Sequence, residues 1–159
     1  MGLRYPNQRH GAWFYVTTTF KNWQHFCAIP GFPERLCESL EFCLAKYDAV
    51  LAAYVLMPSH VHLILAIDGN QLGNFMRDFK KYTGRRVAEE FGLPPSIWMP
   101  RYDRLVIVSD SVMETKVEYV HKNPVKAGLV KRAIQWKWSS ARDYFSDDVG
   151  SIPVFAGWR

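Results

Sequence analysis

The spacing of apolar and polar residues changes period along the chain, and each change predicts a new element. Residues 12–20, Ala-Trp-Phe-Tyr-Val-Thr-Thr-Thr-Phe, are β-branched and aromatic and predict a first strand. Residues 22–32 carry Pro30-Gly31 and predict a loop. Residues 33–47 set Leu36, Leu40, Cys43 and Leu44 at helical spacing. A second strand over 50–57 stops at Pro58-Ser59, and a third runs over 61–67; the tight join predicts an antiparallel hairpin. After a turn at Asp68-Gly69-Asn70, the positions Leu72, Phe75, Met76, Phe79, Val87 and Phe91 predict a second helix with Gly84 inside it. Pro94, Pro95 and Pro100 mark a loop around Trp98, followed by a fourth strand over 102–108. A third helix is predicted over 109–122, capped by Ser109 or Ser111. It should end before Asn123-Pro124, because a residue preceding proline is driven out of helical space. The segment Trp136-Lys-Trp-Ser-Ser140 and a short tail follow.

The order β-α-β-β-α-β-α is the split, ferredoxin-like α+β pattern. It predicts an antiparallel sheet with helices on one face, first and third strands at its centre, and a trailing helix bearing Tyr119. One domain over 1–159 is expected, with a core of about 12–130 and a tail of 131–159; no repeat or linker divides the chain. At 48% hydrophobic and 15% aromatic residues the chain is globular and not disordered. No apolar run approaches the ~18 residues that span a bilayer, so no membrane partner is expected. Residues 1–10 are polar and lack an apolar signal core. Cys27, Cys37 and Cys43 show no Cys-x-x-Cys spacing and read as packing residues of a reduced, cytoplasmic protein, with one reactive thiol as the alternative.

Candidate chemistry enters at His60-Val61-His62, at the head of the third strand. Residues two apart in a strand share a face, so the imidazoles project together with Cα atoms about 7 Å apart. Alone, this fits a pair of polar residues at a strand edge as well as it fits a metal clamp, and on ligand chemistry it could equally take zinc. The trailing helix shifts the balance. Tyr119 and Asn123, spaced i and i+4, lie on one helix face and bring a nucleophilic hydroxyl and a hard oxygen donor. Tyr82, beside Lys80 and Lys81, is a rival nucleophile without such a partner. His121 points about 200° away from Tyr119 and is expected at the surface or facing DNA. His10 and His25 stand in no motif.

The net charge of +5 suggests a polyanionic partner, and its clustering says more. Arg77, Lys80, Lys81, Arg85 and Arg86 fall within ten residues, and Lys122 and Lys126 open a second basic stretch that continues to Lys137. A solvated helix face competes with phosphate tracking as the explanation. Trp98, Trp136 and Trp138 could stack on bases, though a core role suits at least two of them. Arg4 and Arg9 could reach a groove.

At these residues a resemblance is plain. Tyr54-Val-Leu-Met-Pro-Ser-His-Val-His-Leu-Ile-Leu65 resembles the His-hydrophobic-His core of the single-tyrosine HUH transposases. Tyr119-Val-His-Lys-Asn-Pro-Val-Lys-Ala-Gly-Leu-Val130 resembles their tyrosine-helix motif, and Trp136-Lys-Trp-Ser-Ser-Ala-Arg-Asp-Tyr144 the tail element after it. The matches spread over residues 12–145 and point to the REP-associated tyrosine transposase branch. One departure is Trp98-Met-Pro-Arg101, where the family often has Trp-Gln-x-Arg.

The resemblance implies that His60, His62 and Asn123 bind Mg²⁺ or Mn²⁺ and that Tyr119 is the nucleophile. It implies a metal-dependent single-strand endonuclease and strand transferase acting on hairpin or palindromic repeat DNA through a 5′-phosphotyrosine. Such a protein would be cytoplasmic and nucleoid-associated, and either a monomer or a homodimer. The rivals are a non-cleaving regulator that binds repeat DNA and, more remotely, a small zinc hydrolase.

Overall fold

The structure is a computed structural model that describes residues 12–159. Arg4, Arg9 and His10 lie outside the described residues. The strands are β1 (Ala12–Thr19), β2 (Val50–Leu56), β3 (His60–Ile67) and β4 (Asp103–Ile107), and the helices are α1 (Phe32–Lys46), α2 (Leu72–Phe91), α3 (Asp110–Lys126) and α4 (Ala141–Phe145). The sheet order is β2-β3-β1-β4 with every neighbouring pair antiparallel, so β1 and β3 are central.

Strand alternation sorts the side chains onto two apolar faces. Phe14 and Val16 of β1 join Val61, Leu63, Leu65 and Ile67 of β3 on the face covered by α1 and α2. Trp13, Ile64, Ala66, Val55 and Ile107 form the other face, and α3 covers it with Met113, Val117 and Val120. The trailing helix therefore lies opposite the other two, and β2 and β3 are buried almost throughout. That explains why β3 reads as a continuous apolar run rather than an alternation. α1 and α2 are further joined by Asp78, which accepts from Lys46 at 2.8 Å and from Tyr47. These donors hold the Asp78 carboxyl well below the usual carboxylate range.

Local signals account for most boundaries. Ser109 caps α3, its hydroxyl accepting from Val112 N at 3.2 Å. Gly84 has a packing reason, because a Cβ there would meet the Pro95 carbonyl at 2.5 Å. The loop after Phe20 contains two short 3-10 turns, Lys21–Trp23 and Phe26–Ala28.

The predicted end of α3 is corrected. The helix passes through Asn123-Pro124 to Lys126 and stops before Gly128 at φ 75°. Pro124 sits in the last turn, where it removes only one donor, and its ring is buried. Bonds from Ala127 N to Asn123 O and from Leu129 N to Pro124 O close the turn beyond it. Asn123 thus stays in helical register with Tyr119.

The tail packs closely. Trp138 O accepts from Leu56 N at 2.8 Å, and Ser140 N donates to Tyr54 O at 3.0 Å, so the segment lines the free edge of β2. Phe155 N adds a bond to Leu51 O at 2.8 Å. An edge strand that could template aggregation is covered in this way. Cys37 and Cys43 are buried and their thiols pushed up to about 12; Cys27 is raised too, and burial is the main cause in all three. They pack rather than react.

Candidate active site

Alternation along β3 turns His60, His62 and Ile64 toward the α3 face. The two imidazole rings stand 4.7 Å apart, centroid to centroid. His62 is only 4% exposed and lies between the strand and the helix. The Tyr119 ring of α3 meets it edge-on at 5.6 Å. The pair predicted from spacing and the tyrosine predicted from the helix are therefore brought together, from positions 57 residues apart in the chain. Tyr119 is 41% exposed, so a large substrate can reach its hydroxyl.

Three contributors were not read from the sequence. Tyr15 and Thr17 of β1 project to the same face, and Thr17 is the cross-strand partner of His62. The Tyr15 ring stacks on His62 at 5.5 Å. Both hydroxyls approach His62 Nδ1, at 2.9 Å each. With Nδ1–H donating to these oxygens, the lone pair is left on Nε2, which is buried and has no hydrogen-bond partner among the described residues. The third contributor is Lys116, one turn before Tyr119. Its ammonium lies 4.9 Å from the Tyr15 centroid and 5.8 Å from that of Tyr119, while Lys126 lies 5.7 Å from Tyr119 on the other side. Spacing of i−3 from Tyr119 was the signal for Lys116. For Tyr15 and Thr17 the signal appears only with the register of β1 against β3.

Electrostatics keeps both imidazoles neutral. Burial lowers His60, and burial aided by His60 and Lys116 pushes His62 down to about 3. Ser59 Oγ, 3.1 Å from His60 Nδ1, makes a similar orienting contact there. Two neutral rings, each held through Nδ1, and an unpartnered buried Nε2 suit a metal site. Among the described residues no cluster of three His, Cys, Asp or Glu could hold an ion.

The basic candidates divide. Arg77 pairs with Asp78 at 3.1 Å, Arg86 with Glu38 at 2.7 Å, and Lys122 with Glu118. Lys80 donates to the carbonyls of Met99 at 2.9 Å and Arg101 at 3.3 Å, a strut under the loop before β4. Lys81 and Arg85 are exposed on α2, across the sheet from the histidines. Lys126 alone of the seven stands beside the tyrosine. Tyr82, the rival nucleophile, accepts from Lys46 at 3.3 Å and packs on Phe42, on the α1–α2 side.

His121 is corrected. It is 1% exposed, with Nε2 2.7 Å from Ser140 Oγ and its ring 4.7 Å from Tyr144. Burial lowers it to about 4. The helix face opposite Tyr119 is covered by the tail instead of solvent. Trp98 is likewise core, tilted over Phe20 at 4.5 Å, whereas Trp136 and Trp138 are half-buried.

A sheet with a histidine pair on a central strand and a tyrosine on a helix folded back over it defines a class, and the family comparison agrees. Residues 17–123 match the IS200-like transposases, and the chain belongs to that family. A REP-associated tyrosine transposase of Escherichia coli K12 is 30% identical over 90 residues, 55% of this chain and 52% of the relative. A relative from Haemophilus influenzae is 27% identical over 129 residues, 67% of this chain and 70% of its own length. The matched region thus spans about half of the first of these relatives. The structure of a REP-associated tyrosine transposase bound to a REP hairpin superposes with a TM-score of 0.75 at 22% identity, covering 98% of this chain and 96% of that one. Among the described residues no helix is long and apolar enough to cross a membrane.

Proposed function

We propose that this chain cuts and rejoins single-stranded DNA that carries hairpin or palindromic repeats, with Tyr119 as nucleophile. The observation that carries the reading is the Tyr119 ring 5.6 Å from His62, with His60 alongside. The kinds of DNA are suggested by the relatives and by the hairpin held by the similar structure.

The chain's own groups supply most of what the reaction needs. Tyr119 Oη attacks phosphorus, an Oη–P bond forms, the P–O5′ bond is kept, and the P–O3′ bond breaks. The phenol proton leaves to solvent, which the exposure of Tyr119 permits, and the departing 3′ oxygen takes up a proton. Lys116 and Lys126 flank the phenol ring, where their charges attract the phosphate. Because the phosphotyrosine conserves the bond energy, attack by another 3′-OH reseals the strand without ATP. His60 and His62, with Asn123 as an oxygen donor, would hold a divalent ion, Mg²⁺ or Mn²⁺, whose Lewis acidity polarises the phosphate oxygens. Two nitrogen donors suit Mn²⁺ better than Mg²⁺.

The test is a denaturing gel after incubation with a hairpin-bearing oligonucleotide and Mn²⁺. A protein–DNA adduct is expected with the wild type and none with Tyr119→Phe or with EDTA. An adduct undiminished in Tyr119→Phe, or no adduct under any metal, would overturn the proposal. Binding without cutting, indifferent to EDTA, would instead favour the non-cleaving regulator.

A further inference from the structure

We infer that Trp23 is a stacking platform for a DNA base next to the phosphate held at the histidine pair. This rests on the reading of that pair and Tyr119 as a DNA-phosphate site. Trp23 is 61% exposed, and among the described residues it is the one tryptophan left in solvent. Its ring lies edge-on to His60 at 6.4 Å, at the mouth of the site.

The backbone makes the placement informative. Asn22 and Trp23 both lie in the left-handed region, at φ 58° and 55°. Asparagine tolerates that region, but a bulky aromatic residue there is an outlier. The side chain is mostly exposed, so the fold gains little packing from holding Trp23 in a strained conformation. Strain kept for little gain in packing points to function.

The loop is also rigidly seated. Phe20 N donates to Ser59 O at 3.0 Å, Lys21 N to Ile97 O at 2.7 Å, and Cys27 N to Pro58 O at 3.2 Å. Phe20 and Phe26 anchor its two ends in an aromatic cluster, 5.3 Å apart. Pro58 and Ser59 directly precede His60, so the indole and the imidazole are fixed to one turn. The residues beside Trp23 select the ligand chemistry. Lys21, Asn22, Gln24 and His25, its neighbours in the same loop, are all exposed and offer a cation, two amides and an imidazole. A base with its phosphate satisfies that set, whereas an apolar peptide would leave the polar groups unpaired.

The experiment separates stacking from chemistry by using the Tyr119→Phe protein, which cannot be trapped covalently. Binding of a twelve-nucleotide oligo-dT is followed by fluorescence anisotropy, alone and with Trp23→Ala or Trp23→Phe added. Alanine should weaken binding by about tenfold to a hundredfold, while phenylalanine retains most of the affinity. Tryptophan emission should fall on binding and lose most of that quenching in Trp23→Phe. Circular dichroism of both variants should match the parent, as the ring is exposed. Equal affinities with and without the Trp23 ring, or unchanged quenching in Trp23→Phe, would overturn the inference, as would absence of oligo-dT binding by the parent. If the wild type forms the phosphotyrosine adduct while Trp23→Ala binds normally, the platform fails and the transferase reading stands. If no adduct forms but the affinities change as expected, the platform stands on a DNA-binding site without cleavage.

Discussion

Ser140→Ala should destabilise this protein far more than its single lost oxygen suggests. Ser140 Oγ accepts from Tyr54 N at 3.0 Å and lies 2.7 Å from His121 Nε2. Ser140 and Tyr54 are fully buried, and His121 nearly so. Alanine leaves an N–H on the β2 edge and a ring nitrogen without partners, and no water can reach them cheaply. An orphaned buried polar group costs about 1–3 kcal/mol, so the pair costs about 2–6 kcal/mol. For a chain of this length the melting temperature should fall by roughly 5–20 °C. Thermal unfolding followed by circular dichroism reads this directly. The contrasting variant is His121→Phe, which leaves Ser140 free to donate to Tyr54 O, 3.4 Å away, and should cost only about 1 kcal/mol. A Ser140→Ala midpoint within 2 °C of the wild type, or a larger loss in His121→Phe (each ~2 °C marking roughly 1 kcal/mol or less), would refute the reasoning.

The same histidine predicts a pH dependence. His121 titrates near 4 folded and near 6.5 unfolded, so between these values the unfolded chain binds more protons and stability falls as pH falls. Its share is about 2.5 kcal/mol at pH 4.5, and His121→Phe should remove that share from the stability lost in urea unfolding between pH 7 and pH 4.5. At the candidate site, Thr17→Val with Tyr15→Phe strips both oxygens from His62 Nδ1. Metal affinity measured by calorimetry should drop about 10- to 100-fold, and the single Thr17→Val should lose less because Tyr15 still accepts. Lys126→Met should lower the slope of log affinity for single-stranded DNA against log salt by about 0.7, whereas Lys80→Met should leave the slope alone, its ammonium being committed to two carbonyls. A lower slope in Lys80→Met would show that this strut opens to bind phosphate.

What the sequence made legible was governed by near neighbours. The β3 run, the extent of α2 and the Ser109 cap each depend on residues within a turn or a hairpin, and each is found. The His60–His62 face and the Tyr119–Asn123 spacing follow from strand and helix periods alone. Errors arose where a distant segment decides. The rotation of His121 away from Tyr119 was sound, but what lies on that side depends on Ser140 and Tyr144, which reach it only through the course of the tail. The orienting pair Tyr15 and Thr17 needed the β1–β3 register, a contact across some 45 residues. Basic residues on α2 looked like one cluster in sequence, yet Asp78, Glu38 and the carbonyls of the 99–101 loop take up three of them. Proline at 124 set its local preference against a buried ring in a final turn, and packing prevailed.

The position of Tyr119 is decided by the buried residues of its own helix. Along α3, Met113, Val117, Val120 and Pro124 form a buried stripe spaced by four, three and four. Lys116, Tyr119, Asn123 and Lys126 form a second stripe spaced by three, four and three, and its Tyr119 meets His62. His121 belongs to a third face, tied to the tail. A slip of one residue would rotate the helix by about 100° and carry the phenol away from His62. The slip is opposed on two sides, by the apolar stripe on Trp13, Ile64 and Val55 and by the His121–Ser140 bond. Within this structure the histidine pair and Tyr119 meet inside one chain, and the core residues of α3 set their distance.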